Sequence, residues 1–346
     1  MHIRWLMALL WLPVAAAAEA PLFSDDSVIR AVLTAPLAQA HAQKQQSARL
    51  YLPGTFAYLD DAGNNQRLSV SIRSRGNFRR QHCDLPPLTL NFARKEVGGS
   101  LMQGQDKLKL VSPCFNQSAY QQYVILEYLA YRTLETLTDF SFRTRLLRLS
   151  FVDSDQQLKP WTALSFVLED QVAMADRVDL PLSRIDRVGF TDLDRDAAAV
   201  VGLFQLLIGN NDYSMLLAEG DGNCCHNVKP LRRPDTGLFV PVPYDFDFAG
   251  LVNAPYAAPP GHLPVKTVRD RYYSGLCHPE AVMERAVKLF QEKRPDINRL
   301  VETAAGLSET ASAAEFVDDF FDLLDSPARM REEVLDRCRG GHLLGD

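Results

Sequence analysis

Within the stretch VPVPYDFDFAGLV, Val240 to Val252, two acidic residues, Asp245 and Asp247, interrupt a run of Val, Pro, Tyr, Phe and Leu. A buried carboxylate is unfavourable unless it is paired, hydrogen-bonded or bound to a cation. If Pro243 to Asp247 ends a strand, the two carboxylates point to one face. Two oxygen ligands on one face suit magnesium or manganese bound with phosphate. The plain alternative is a pair of satisfied structural carboxylates.

Three other groups have types and spacings that suit the same chemistry. Gly209-Asn210-Asn211-Asp212 follows an apolar run, and a carboxylate on a loop at the end of a buried helix is placed to act as a general base; turn chemistry alone also explains these residues. His226-Asn227 comes next, before Lys229, and Asn227 can offer a carbonyl oxygen to a hard cation or simply occupy a turn. Upstream, Lys107 and Lys109 alternate in KLKLV, and Glu127 falls on the apolar stripe of the following helical segment. A strand lysine joined to the glutamate of the next helix is how protein kinases hold the lysine that meets nucleotide phosphates. A purely structural ion pair is the competing reading.

The elements that must position these residues are legible in outline. Residues 49–112 read as strands, including RLYLPGTFAYL, LSVSIRSRG, LPPLTLNF and KLKLV. Residues 118–138 read as a helix. A hairpin is expected around Asp153-Ser154-Asp155, and an apolar helix over 195–208 should stop at Gly209. From about His278 the chain reads as mainly helical, with Ser326-Pro327 as a helix start. The expected class is α+β, with a β-rich part over 19–172 carrying one long helix and a mainly helical part over 173–346.

The chain has 346 residues, 47% hydrophobic and 23% charged, with net charge -6. That balance gives no footprint for nucleic acid. The N-terminus, MHIRWLMALLWLPVAAAAEA, has Arg4, a short apolar run and small residues, the pattern of a secretory signal. Cleavage is expected at Ala16-x-Ala18, leaving no stable membrane span; a membrane anchor is the alternative reading. The expected location is therefore exported, periplasmic or secreted. Six cysteines remain after cleavage, and an even count in an exported chain favours disulfides. Cys83 with Cys114 is the expected N-terminal pair, and Cys224 or Cys225 with Cys277 a further one. Cys224-Cys225-His226 as a metal site is the alternative.

The order lysine, glutamate, aspartate, asparagine, Asp-Phe along the chain resembles the spore-coat-H (CotH) kinase-like family, within the atypical protein-kinase-like fold. The matching pieces are Arg75-Gly76-Asn77, KLKLV, FVLE at Phe166–Glu169, Gly209–Asp212, His226-Asn227 and PYDFD. The resemblance implies a two-lobed, protein-kinase-like architecture and transfer of phosphate from ATP, with Mg2+ or Mn2+, to a protein or envelope hydroxyl acceptor. By position, Asp212 resembles the catalytic aspartate, and Asn227 and Asp245 the metal ligands, with Asp247 a second or substitute ligand. Lys109, or else Lys107, resembles the phosphate lysine and Glu127 its partner, while Glu169 is expected beside the nucleotide base. A Gly-x-Gly-x-x-Gly loop is absent from SRGNFRR, so Arg73, Arg75, Arg79 or Arg80 would replace its phosphate cradle. A non-catalytic, pseudokinase-like binding module remains the main alternative. A phosphohydrolase built on Asp245-x-Asp247 is less well matched, since Ala249 stands where such motifs carry Thr or Val.

Overall fold

A computed structural model describes residues 21–60, 62–218 and 222–340. The signal segment and its cleavage site lie outside the described residues. The strands are β1 (Ile29–Ala35), β2 (Leu52–Leu59), β3 (Asn65–Ser74), β4 (Leu88–Phe92), β5 (Lys107–Val111), β6 (Thr144–Asp153), β7 (Trp161–Leu168), β8 (Val228–Arg232) and β9 (Phe239–Pro243). The helices used below are α1 (Leu37–Ala42), α2 (Phe78–His82), α3 (Ser118–Leu137), α4 (Gln171–Arg177), α5 (Arg195–Ile208), α6 (Glu280–Glu302) and α7 (Thr310–Leu324).

β1 to β7 close into a barrel in the order β1-β2-β3-β4-β5-β7-β6. All neighbours are antiparallel except β1 and β6, which run parallel from Ile29↔Leu147 to Ala35↔Asp153. This closed, mixed barrel with helices packed outside it corrects the expected two-lobed kinase-like architecture. The physical reason lies in the first strand: IRAVLTA alternates buried and exposed positions and pairs with a partner more than a hundred residues away, so the sheet has no free edge there.

The barrel interior is filled by Leu33, Phe56, Ile72, Leu90, Leu108, Leu149 and Val167. Alternation sends the intervening residues outward, so Lys107 and Lys109 stand on the outer wall of β5 while Leu108 and Leu110 face the core. β7 is buried on both faces. Its Ala163 and Val167 belong to the barrel core, and its Leu164, Phe166 and Leu168 pack with α3, α5 and the later helices. That second apolar core runs from Val111 to Val334 and therefore joins residues before and after position 172.

α5 is capped by Asp194, whose carboxylate accepts from Ala197 N at 3.0 Å. It ends, as expected, at Gly209 with φ of 65°. Ser326 likewise caps the short helix that starts at Pro327. Cys83–Cys114 is a disulfide, as expected; the other pairs are Cys224–Cys225 and Cys277–Cys338, so neither adjacent cysteine reaches Cys277. With every cysteine in a disulfide, the Cys-Cys-His metal alternative loses its thiolate ligands. Three disulfides fit an exported chain, and among the described residues no helix is long and apolar enough to cross a membrane.

Candidate functional site

The outer wall of β3, β4 and β5 faces the loops at 209–212, 226–229 and 244–248 across a cavity of about 810 Å³. Arg73, Thr89 and Lys109 are register partners on adjacent strands, so their side chains form one row on that wall. All three line the cavity, together with Arg75 and Lys107.

Asp212 lines the opposite side. Gly209 permits the turn that puts it there: its φ is positive, and a Cβ would stand 2.9 Å from the Phe316 ring. Gly250 N and Leu251 N donate to Gly209 O and Ile208 O, tying the helix end to the segment after PYDFD. Asn210 is buried; its Nδ2 donates to Gln205 Oε1 and its Oδ1 accepts from Asp212 N. The Asp212 carboxylate is held from both sides. His226 Nε2 lies 2.7 Å from Oδ1, and Asn227 Nδ2 donates to Oδ2 at 3.0 Å and to the Asp212 carbonyl at 2.8 Å. Asn227, with φ of 52°, therefore positions the aspartate with its amide nitrogen.

β9 ends at Pro243, so the two aspartates do not share a face through strand alternation. Asp245 adopts φ of 66°, and its N–H donates to Tyr131 Oη at 2.8 Å. This turn nevertheless brings both carboxylates to one place. Asp245, Asp247 and Glu127 each offer an oxygen within 4.8 Å of the others. Glu127 enters from α3, where it is 2% exposed.

The ion-pair partner of Glu127 is Arg79 of α2, at 3.1 Å. Arg79 also approaches Asp247 at 3.9 Å and donates to Ser112 O. Tyr256 donates to Asp247 at 3.1 Å. Burial pushes the Glu127 and Asp247 carboxyls up, Asp247 further through the neighbouring Asp245 charge. Glu127 Oε1 is buried without a hydrogen-bond partner. An orphaned oxygen beside two more carboxylates is a donor set that a hard divalent cation fits.

Lys109 lies 4.7 Å above the Tyr244 ring, and Lys229 lies 4.9 Å from the same ring. Burial, reinforced by Arg75, pulls the Lys109 ammonium down to about 8. Arg75 donates to Leu88 O, and Asp245 is its strongest opposite charge.

The cavity thus brings together Asp212, Asn227, Asp245, Asp247, Lys107, Lys109 and Arg75. Glu127 joins the acidic cluster from beneath, paired with Arg79 and not with a β5 lysine. Glu169 stands apart: it is 5% exposed, forms an ion pair with Arg177, accepts from Arg143 N, and does not line the cavity. The role of Arg79 as the counter-charge of the carboxylates was not singled out from sequence. Its signal was the spacing, four residues past Arg75 in a short helix whose C-terminal Cys83 is stapled to Cys114, just before α3. The chain matches no protein-family model and no curated protein.

Proposed function

We propose that this cavity transfers a phosphoryl group from a donor carrying linked phosphates to a hydroxyl acceptor, in a periplasmic or secreted setting. The observation that supports it best is the convergence of a braced carboxylate (Asp212), two carboxylates (Asp245, Asp247) and half-buried cations (Arg75, Lys109) on one cavity, with Glu127 and its orphaned oxygen joining Asp245 and Asp247 from behind the lining. Phosphoryl transfer asks a protein for little more than positioning and charge stabilisation. In this reading Arg75 and Lys109 hold donor phosphate oxygens. Asp212 accepts the proton of the acceptor hydroxyl, and His226 and Asn227 keep its carboxylate aimed. Glu127, Asp245 and Asp247 would hold a magnesium or manganese ion, which when bound neutralises charge developing on the transferred group. The motifs that resemble those of the spore-coat-H family support the same chemistry, with ATP as the donor that resemblance implies and a protein or envelope hydroxyl as acceptor.

One observation favours a second reading, a binding module without turnover. The Arg79 guanidinium already compensates Glu127 and Asp247, as in a structural network. The two readings separate on Asp212→Asn. With water as the acceptor, phosphate release from ATP or tripolyphosphate should fall by about 10²–10⁴-fold while donor binding persists. Release equal to that of the unaltered protein would remove Asp212 from the chemistry.

A further inference from the structure

The cationic wall extends beyond the groups that a reacting phosphate needs. From Lys109 the row crosses two strands to Arg73. Arg73 stacks over Tyr51, its guanidinium 4.4 Å from the ring centroid, and both line the cavity. Two more guanidiniums are anchored beside the end of β3 that carries Arg73: Arg49 Nε donates to Ser74 O at 3.1 Å and Arg80 Nε donates to Gly76 O at 2.8 Å. Arg80 Nη1 is buried without a hydrogen-bond partner. Among the described residues, Arg49, Arg73, Arg75, Arg80, Lys107 and Lys109 form no ion pair with a carboxylate, whereas Arg79 pairs with Glu127. Lys109 has Asp245 and Asp170 near it, but Arg49, Arg73 and Arg80 gather unpaired like charge, which favours a polyanion at that end.

The same wall offers poor accommodation for a nucleobase. Glu169, the residue expected beside a base, is turned into the protein and paired with Arg177. The Tyr51 ring is covered by Arg73, and the Tyr244 ring by Lys109 and Lys229. Stacking a base on either of these rings means displacing a cation, and the same holds for the bases of a single-stranded nucleic acid; the cavity's rings with no cation over them, Phe78 and Phe248, lie off this row, on α2 and just after the Asp245–Asp247 turn.

We infer that the donor at this site is an inorganic polyphosphate chain, with its reacting end at Lys109, Arg75 and the Asp245–Asp247 turn and its trailing phosphates along Arg73, Arg80 and Arg49. This rests on the phosphoryl-transfer reading and names its donor. The acceptor hydroxyl oxygen bonds to the terminal phosphorus, and the terminal bridging P–O bond breaks. The bridging electron pair leaves on a chain one phosphate shorter, and the hydroxyl proton goes to Asp212. Such a donor also removes the need for nucleoside triphosphate outside the cytoplasm.

The test is calorimetric titration of the mature full-length chain, with magnesium at one ionic strength, using pyrophosphate, tripolyphosphate, a medium-chain polyphosphate, ATP and a single-stranded DNA. Affinity is expected to rise by at least about tenfold from pyrophosphate to the medium chain, with a steep salt dependence. In Arg73→Gln/Arg80→Gln the rise with chain length and part of the salt slope should vanish. The cooperative unfolding transition of that variant shows whether it remains folded, and the single variant Arg73→Gln serves as the second test. ATP binding tenfold more tightly than tripolyphosphate would overturn the polyphosphate donor and leave phosphoryl transfer standing. Single-stranded DNA binding as tightly as polyphosphate would also overturn it, by making the wall a general backbone-binding surface. No binding of any phosphate compound would overturn both.

Discussion

Lys109 illustrates how one side chain reports on this site. Its folded pKa of about 8 lies below the usual lysine value of 10.5, so burial beside Arg75 disfavours its charge. Between those values the unfolded chain binds more protons than the folded one, and this residue makes stability rise with pH across that window. Anion binding works in the opposite sense, because it needs the charged ammonium. Affinity for tripolyphosphate should fall as pH rises through about 8, and Lys109→Arg should flatten that fall, since guanidinium stays charged. An unchanged pH profile in the arginine variant would show that Lys109 does not touch the donor. Arg79 gives a second prediction. Arg79→Ala leaves Glu127 and Asp247 without their buried counter-charge, which should destabilise the protein by roughly 3–5 kcal/mol. If the carboxylates accept a divalent cation, magnesium should restore more stability in this variant than in the unaltered protein; equal magnesium effects in both would mean a structural network only. The sequence showed that Asp245 and Asp247 needed a partner, because carboxylates in an apolar run do. It did not show that Asp247 would meet Arg79, since that contact joins α2 to the turn after β9 from the other half of the chain.

At the scale of elements, the site depends on how α5 ends. Asp212 stands three residues past Gly209, and Gly209 has φ of 65° with a Cβ position 2.9 Å from Phe316. Gly209→Ala meets both the left-handed backbone penalty and that contact. It should destabilise the fold by at least about 1–2 kcal/mol and lower turnover by moving the Asn210–Asp212 turn; full stability in a melting experiment would contradict this account of the helix end. α3 and α5 were legible from apolar periodicity, and the stop at Gly209 from the glycine itself. β2 to β7 were legible from alternation. β1 was not read as a strand, although Ser24-Asp25-Asp26-Ser27 before it and Pro36 after it frame seven alternating residues. The Asp245 turn was misjudged: Pro243 ends β9, and an aspartate at positive φ continues the chain where strand alternation was expected.

The whole molecule couples the barrel to the cavity through covalent and nonlocal links. The parallel pairing of β1 with β6 closes the barrel, and no local pattern announces a partner that distant, which is why an open two-lobed layout was the natural expectation. The Cys83–Cys114 disulfide closes a loop of sequence separation 31 and staples the end of α2, with Arg79, to the chain entering α3, with Glu127. Replacing both cysteines by serine should destabilise the protein by about 3–4 kcal/mol on the chain-entropy account and weaken any response to divalent cation, because Arg79 and Glu127 lose their common anchor. A double variant with the stability and cation response of the unaltered protein would show that the staple is idle.

The most direct measurement for phosphoryl transfer at this cavity is thermal unfolding of the mature chain with magnesium or manganese and either ATP or tripolyphosphate, beside Asp245→Ala. A ligand at a hundredfold excess over its dissociation constant stabilises the folded state by about 2.7 kcal/mol. The expected result is a stabilisation that requires metal and phosphate donor together and is lost in Asp245→Ala. No stabilisation with any donor, in a protein that unfolds cooperatively, or a stabilisation retained in full by Asp245→Ala, would contradict the site proposed here.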